Sequence, residues 1–232
     1  MACPSGKKVL FSLNDSRVML RTGKSTQTEG SLSMQPLFAH QPVLLSVLLA
    51  SLLIWRVMEA SVDIRTLKRL RAGARRQDKG SHAVLICLAT LGIVLGTLLA
   101  FRVPATAITS ARTFLFWLGI LLINAGIAFR LYAIHVLGAF FTTAVAVAPE
   151  QTVIEAGPYR LIRHPSYTGL LITLLGYGLS LTNWLSLLVL MGCVLIGLSY
   201  RIHVEEHVLK AHLGQRYQEY MRRTKRLIPF VL

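Results

Sequence analysis

Residues 167–200 read YTGLLITLLGYGLSL, then TN, then WLSLLVLMGCVLIGLSY. Two uncharged apolar runs, Tyr167–Leu181 and Trp184–Tyr200, are thus separated by Thr182 and Asn183 alone. So short a connection admits only a tight helical hairpin, and with their flanks both runs approach the roughly 20 residues that cross a bilayer. Three further runs lie upstream: Val43–Met58, extended by Leu37 and Phe38, then Ala83–Phe101, then Phe114–Ile134. The expected fold is all-α and polytopic, with five transmembrane helices of which the last two pair as the hairpin.

The composition agrees. Of 232 residues 53% are hydrophobic and 15% charged, with a mean hydropathy of +0.56, where a globular domain carries about 25% charged residues. A net charge of +15 raises the question of nucleic acid, but the basic residues sit in short blocks between apolar runs, as in the cytoplasmic loops of membrane proteins. Nucleic acid is therefore not expected as a partner. Cys3, Cys87 and Cys193 have no paired or metal-ligating spacing, and no metal site is expected. Residues 1–35 are polar and read as a tail or extension, leaving 36–232 as a single membrane-embedded domain. The 59–81 segment carries Arg65, Lys68, Arg69, Arg71, Arg75, Arg76 and Lys79 against Glu59, Asp63 and Asp78. That excess predicts a cytoplasmic loop, which puts the 135–166 connection and the carboxyl-terminal tail on the same face. Arg130, near the inner end of the third run, is expected to snorkel to the headgroups.

Polar chemistry gathers in two clusters. The first is GPYRLIRHPSYTG, Gly157–Gly169. Pro165 disfavours a helical His164 and suits a first helical turn, so a helix begins here with its orphan amides available to an anion. The second, just after the fifth run, holds Arg201, His203, Glu205, Glu206 and His207. Arg201 and Glu205 share a helix face as an i, i+4 pair. The 182–183 turn returns the chain, so that His164 and Tyr167 come near Arg201 and Glu205. Gly214 interrupts the amphipathic helix that follows. There is no Walker sequence, nucleophile elbow or HExxH.

RHPSYTG before a span, the apolar hairpin, RxxxEExxL over 201–209, LGxxYxxY over 213–220 and RLIPF over 226–230 together resemble the isoprenylcysteine carboxyl methyltransferase family. The likeness is strongest over 157–232. It implies S-adenosylmethionine as cofactor, bound at the cytosolic edge by the 135–166 connection and the carboxyl-terminal helix. On that resemblance Gln151, Thr152, Val153 and Ile154 line the cofactor, Tyr159, His164, Pro165, Ser166 and Tyr167 continue the pocket, and Glu205 completes it. Arg201 is the expected catalytic and substrate-binding residue, facing the methyl acceptor. The implied acceptor is a lipophilic carboxylate, a carboxyl-terminal prenylated cysteine above all, entering from among the membrane lipids. Two alternatives share parts of the pattern: a lipid-amine N-methyltransferase, and a sterol-type membrane reductase using a nicotinamide.

Overall fold

A computed structural model describes residues 35–71, 75–76, 80–141, 146–147 and 152–228. Five helices follow in order: α1 (Pro42–Arg71), α2 (Ser81–Arg102), α3 (Arg112–Leu137), α4 (Pro165–Ser180) and α5 (Trp184–Arg223). Two-residue strands β1 (Arg75–Arg76) and β2 (Ala146–Val147) pair antiparallel, Arg75 opposite Val147, and tie the α1–α2 loop to the segment after α3. The protein is an all-α polytopic membrane protein with four to five apolar helices. α1, α2, α3 and α5 are long and apolar enough to cross a bilayer. α4, the fourth of the five expected spans, has 16 residues and is about 24 Å long, short of the roughly 30 Å hydrocarbon core.

α4 and α5 are joined through Leu181–Asn183, yet each packs mainly on another helix, α4 on α3 and α5 on α2. Small residues explain that preference, as they do between membrane helices generally. A Cβ on Gly119 of α3 would stand 2.5 Å from the Gly176 carbonyl oxygen of α4, and one on Gly176 would stand 2.6 Å from that of Gly119. The backbones therefore touch where any side chain would hold them apart. The turn itself is anchored by Asn183, whose Oδ1 accepts from the Ser186 amide at 3.0 Å and so caps α5. Its Nδ2 donates to the Val103 carbonyl at 3.1 Å. Phe116, Ile123, Leu174, Leu190, Val194 and Leu198 form the sealed centre, whereas Leu53, Val57, Leu121, Leu188 and Ile196 are left outward for lipid.

Two element boundaries differ from the sequence reading. α1 does not stop at Met58 but runs to Arg71, so Glu59 belongs to a helix rather than to a loop. α5 continues past Tyr200 without a break as far as Gly214, about 45 Å and half as long again as the hydrocarbon core is thick, and resumes beyond it to Arg223. Val204, Glu206, Val208, Tyr217 and Tyr220 of its second half are buried against the rest of the chain, and that half carries the amphipathic pattern of the tail. Gly214 does break that half, with φ 58° and ψ −133°, a left-handed φ that glycine tolerates best.

Candidate active site

The segment leading into α4 lies against the end of the described chain. Gly157–Arg160 forms a 3-10 turn, after which Ile162 bridges Lys225 in parallel. The Arg163 and His164 amides donate to the carbonyls of Lys225 and Arg226 at 2.8 and 3.0 Å. Thr168 Oγ1 donates to the Leu227 carbonyl at 2.8 Å, so residues 225–227 strap the turn that Pro165 begins. Glu206, buried on α5, fixes this strap from below. It accepts from Arg163 Nε at 2.9 Å and from Arg226 Nη2 at 2.9 Å, and it lies 3.5 Å from His164 Nε2. Arg163 also donates through Nη1 to the carbonyls of Met221, at 3.0 Å, and Thr224.

Above the strap opens a cleft of about 1040 Å³, mouth included. Thr152, Val153, Ile154, Tyr159, His164, Ser166, Tyr167 and Glu205 all line it. These sequence-expected residues come from separate segments and meet at one wall. Pro165 is buried at the first turn of α4, supporting the wall without lining it. Gln151 lies outside the described residues. The remaining walls come from His82 and Leu85 of α2, Arg130 and Leu137 of α3, Phe140, Phe141, and Leu209, Leu213, Tyr217 and Tyr220 of α5. The pocket is thus wider in origin than the 135–166 connection and the carboxyl-terminal helix.

Arg201 is 1% exposed and stands behind this wall. Its Nε donates to the Tyr167 hydroxyl at 3.0 Å, its Nη1 to Ser81 Oγ at 2.7 Å, and Tyr167 in turn donates to Glu205. The Tyr167 ring stacks on His164, centroids 5.5 Å apart. Burial, reinforced by the Glu205 carboxylate, pushes the Tyr159 phenol above its ordinary range, so it stays neutral; Tyr220 donates to its backbone carbonyl at 2.7 Å.

Arg130 does not snorkel. It is buried, 2.7 Å from Glu59 of α1, and its Nη1 donates to Ser166 Oγ at 2.6 Å and to the Ser166 carbonyl at 3.0 Å. An unpaired cation at this depth is costly, and a partner on a neighbouring helix is the cheaper solution. Sequence reading gave no role in the cleft to Arg130, Arg163 and Phe141, which line it, or to Glu59, which holds Arg130. The two opposite charges in apolar runs, Glu59 and Arg130, were the signal that could have paired them.

This fold defines a polytopic helical membrane protein, with a cleft walled by α2, α3, the segment leading into α4, and α5. Residues 117–211 match the model of the isoprenylcysteine carboxyl methyltransferase family. It is 35% identical over 115 residues to protein-S-isoprenylcysteine O-methyltransferase B of Arabidopsis thaliana, a match covering 49% of this chain and 58% of the relative. It is 32% identical over 120 residues to a probable protein-S-isoprenylcysteine O-methyltransferase of Oryza sativa subsp. indica, covering 51% and 63%. The solved structure of the eukaryotic intramembrane Ras methyltransferase aligns with a TM-score of 0.53 at 25% identity, over 63% of this chain and 52% of that one. The matches therefore span about half to two thirds of the relatives' length.

Proposed function

We propose that the protein transfers a methyl group from S-adenosylmethionine to the carboxylate of a lipophilic substrate, a carboxyl-terminal prenylated cysteine or a close analogue. The observation that carries this reading is the single cleft in which Tyr159, His164, Tyr167 and Glu205 meet aromatic and aliphatic walls. The residues present fit such a cofactor. Glu205 offers a carboxylate to hydroxyls or an ammonium, and Thr152, Val153 and Ile154 line the cleft from a segment outside any helix or strand. Arg163 lines the cleft with its Nη2 unbonded among the described residues, a donor for a carboxylate. Phe140, Phe141, Tyr217 and Tyr220 supply ring faces for a base or a sulfonium.

When bound, S-adenosylmethionine supplies an electrophilic methyl group on a positively charged sulfur. Attack by a carboxylate oxygen neutralises two opposite charges, so the protein need not hold or move a proton and has mainly to position and dry the reactants. Glu205 and Arg163 orient one partner at the polar end of the cleft. Leu85, Leu170 and Leu209 exclude water at the other and accept an apolar chain. Arg201, assigned to the acceptor side by resemblance, acts in this geometry through Tyr167, whose hydroxyl it orients at the cleft wall. We place the cleft on the cytoplasmic face, following the basic 59–81 segment.

The test is calorimetric titration of the detergent-purified chain with S-adenosylhomocysteine, beside transfer of labelled methyl from S-adenosylmethionine to N-acetyl-S-farnesylcysteine or to phosphatidylethanolamine. Binding with label on the farnesylcysteine supports the proposal. Label on the phosphatidylethanolamine amine alone moves the assignment to a lipid-amine methyltransferase, and absent binding by folded protein sinks both.

A further inference from the structure

A second cavity lies on the other side of α3 from the cleft. It is a groove of about 900 Å³, mouth included, lined by Val62, Arg65 and Thr66 of α1, by Leu131, Ile134 and His135 of α3, and by Gly138 and Phe141. Successive faces of α3 serve the two spaces: Arg130 and Leu137 point to the cleft, Leu131 and Ile134 to the groove, and Phe141 forms part of both walls. The groove exists because α1 touches α3 only lightly. The Glu59–Arg130 pair and the hydrogen bond from Asn124 Nδ2 to Ser51 Oγ, 3.1 Å, hold the two helices together further up.

Its chemistry is that of an amphiphile turned inside out. Arg65 and His135 are exposed and make no side-chain hydrogen bond or ion pair among the described residues, and no carboxylate lines the groove among those residues. Below them Val62, Leu131 and Ile134 give an apolar floor. On the outer side of α1, Val57, Ile64 and Leu67 are more than half exposed, and Leu131 of the groove itself is 45% exposed, apolar surface of the kind that lipid tails cover. The carbonyl end of α3 at Gly138 carries only a partial negative charge that decays within a turn. The Arg65 guanidinium outweighs it.

We infer that this groove is a binding site for an anionic phospholipid, its phosphate between Arg65 and His135 and an acyl chain along Val62, Leu131 and Ile134. Basic pockets between membrane helices take anionic headgroups in this way. The bilayer supplies such lipids at far higher concentration than any methyl acceptor, and the cations that line the cleft already face carboxylates, Arg130 paired with Glu59 and Arg163 with Glu206, whereas Arg65 has no such pair among the described residues. A bound lipid braces α1 against α3 and presses on Phe141, which is how occupancy of the groove reaches the cleft.

The experiment uses the full chain in detergent, titrated with phosphatidylglycerol or phosphatidylcholine, with retained lipid counted by native mass spectrometry and thermal unfolding followed in parallel. Wild type should retain one phosphatidylglycerol in preference to phosphatidylcholine and unfold at a higher temperature with it. Arg65→Gln should weaken that retention roughly fivefold, about what one juxtamembrane cation contributes, and Arg65→Gln with His135→Gln should abolish the preference. The matched control Lys210→Gln with His212→Gln, again one permanent cation and one histidine and both exposed on α5, should keep it. Equal losses in the two double variants would reduce the effect to the general basic face and overturn the site. So would a Arg65→Gln chain that keeps its phosphatidylglycerol but shows a raised KM for N-acetyl-S-farnesylcysteine, since the groove would then serve the acceptor. None of these readouts of lipid binding depends on the methyltransferase assignment.

Discussion

Arg201 and Glu205, one helical turn apart on α5, approach no closer than 3.9 Å, and the Tyr167 hydroxyl completes the link, accepting from Arg201 Nε at 3.0 Å and donating to Glu205. The pair that looks intrahelical in sequence is thus a bridge between α4 and α5, built on a phenol. Tyr167→Phe keeps the ring stacked on His164 and deletes only the bridge. Leaving a buried guanidinium donor and a carboxylate one partner short costs about 1–3 kcal/mol. S-adenosylhomocysteine affinity, read by calorimetry, should fall roughly tenfold in this variant while the helical circular dichroism is unchanged.

Glu59 and Arg130 make the same point deeper in the bundle. Glu59→Gln leaves the Arg130 cation, 5% exposed, with its hydrogen bonds to Ser166 but no counter-charge. Breaking one side of a buried pair costs about 3–5 kcal/mol, and thermal unfolding in detergent should register it as a marked drop. Replacing both by methionine removes the stranded charge and should recover most of the loss. If the double variant is as unstable as the single, the pair is not the source of the cost.

Helix packing gives a paired prediction with opposite signs. Gly119→Ala places a methyl group 2.5 Å from the Gly176 carbonyl oxygen, which backbone cannot yield without parting α3 from α4. Folded yield after extraction should fall steeply. A Cβ on Gly192, in the middle of α5, meets nothing within 4 Å. Gly192→Ala should raise the unfolding temperature slightly, by the up to ~1 kcal/mol that alanine gains over glycine in a helix.

How legible was this in the sequence? The apolar runs were, because lipid imposes length and composition on any helix that crosses it, and so was the start of α4, where Pro165 dictates the local backbone. The approach of His164 and Tyr167 to α5 followed from the two-residue turn. Packing partners were hidden, since the choice of α3 over α5 by α4 rests on glycines whose spacing gives no partner's name. The end of α1 was hidden too: charged residues from Glu59 to Arg71 look like a loop, although Leu, Arg, Lys and Glu are good helix formers. The positions of Ser81 and Glu206 under the site are long-range facts. Ser81 meets Arg201 across 120 residues, a separation that no local pattern encodes.

Glu206 carries the last prediction, because one carboxylate secures both the turn that opens α4 and the strap that covers it. Arg226, its outer partner, is 53% exposed, and an ion pair so open to solvent contributes little. Arg226→Gln should therefore be nearly silent. Glu206→Gln instead strips the counter-charge from Arg163, whose side chain is 8% exposed and whose Nε is 2.9 Å away, and loosens the hold on residues 225–227. Trypsin should then cut at Arg222, Arg223, Lys225 and Arg226 several times faster than in wild type, and the KM for S-adenosylmethionine should rise with it. Bound S-adenosylhomocysteine should slow the cleavage in wild type, because the cleft it fills is walled by the turn that the strap holds. Unchanged cleavage in Glu206→Gln would mean that the backbone bonds from Arg163 and His164 hold the strap without help from the charge.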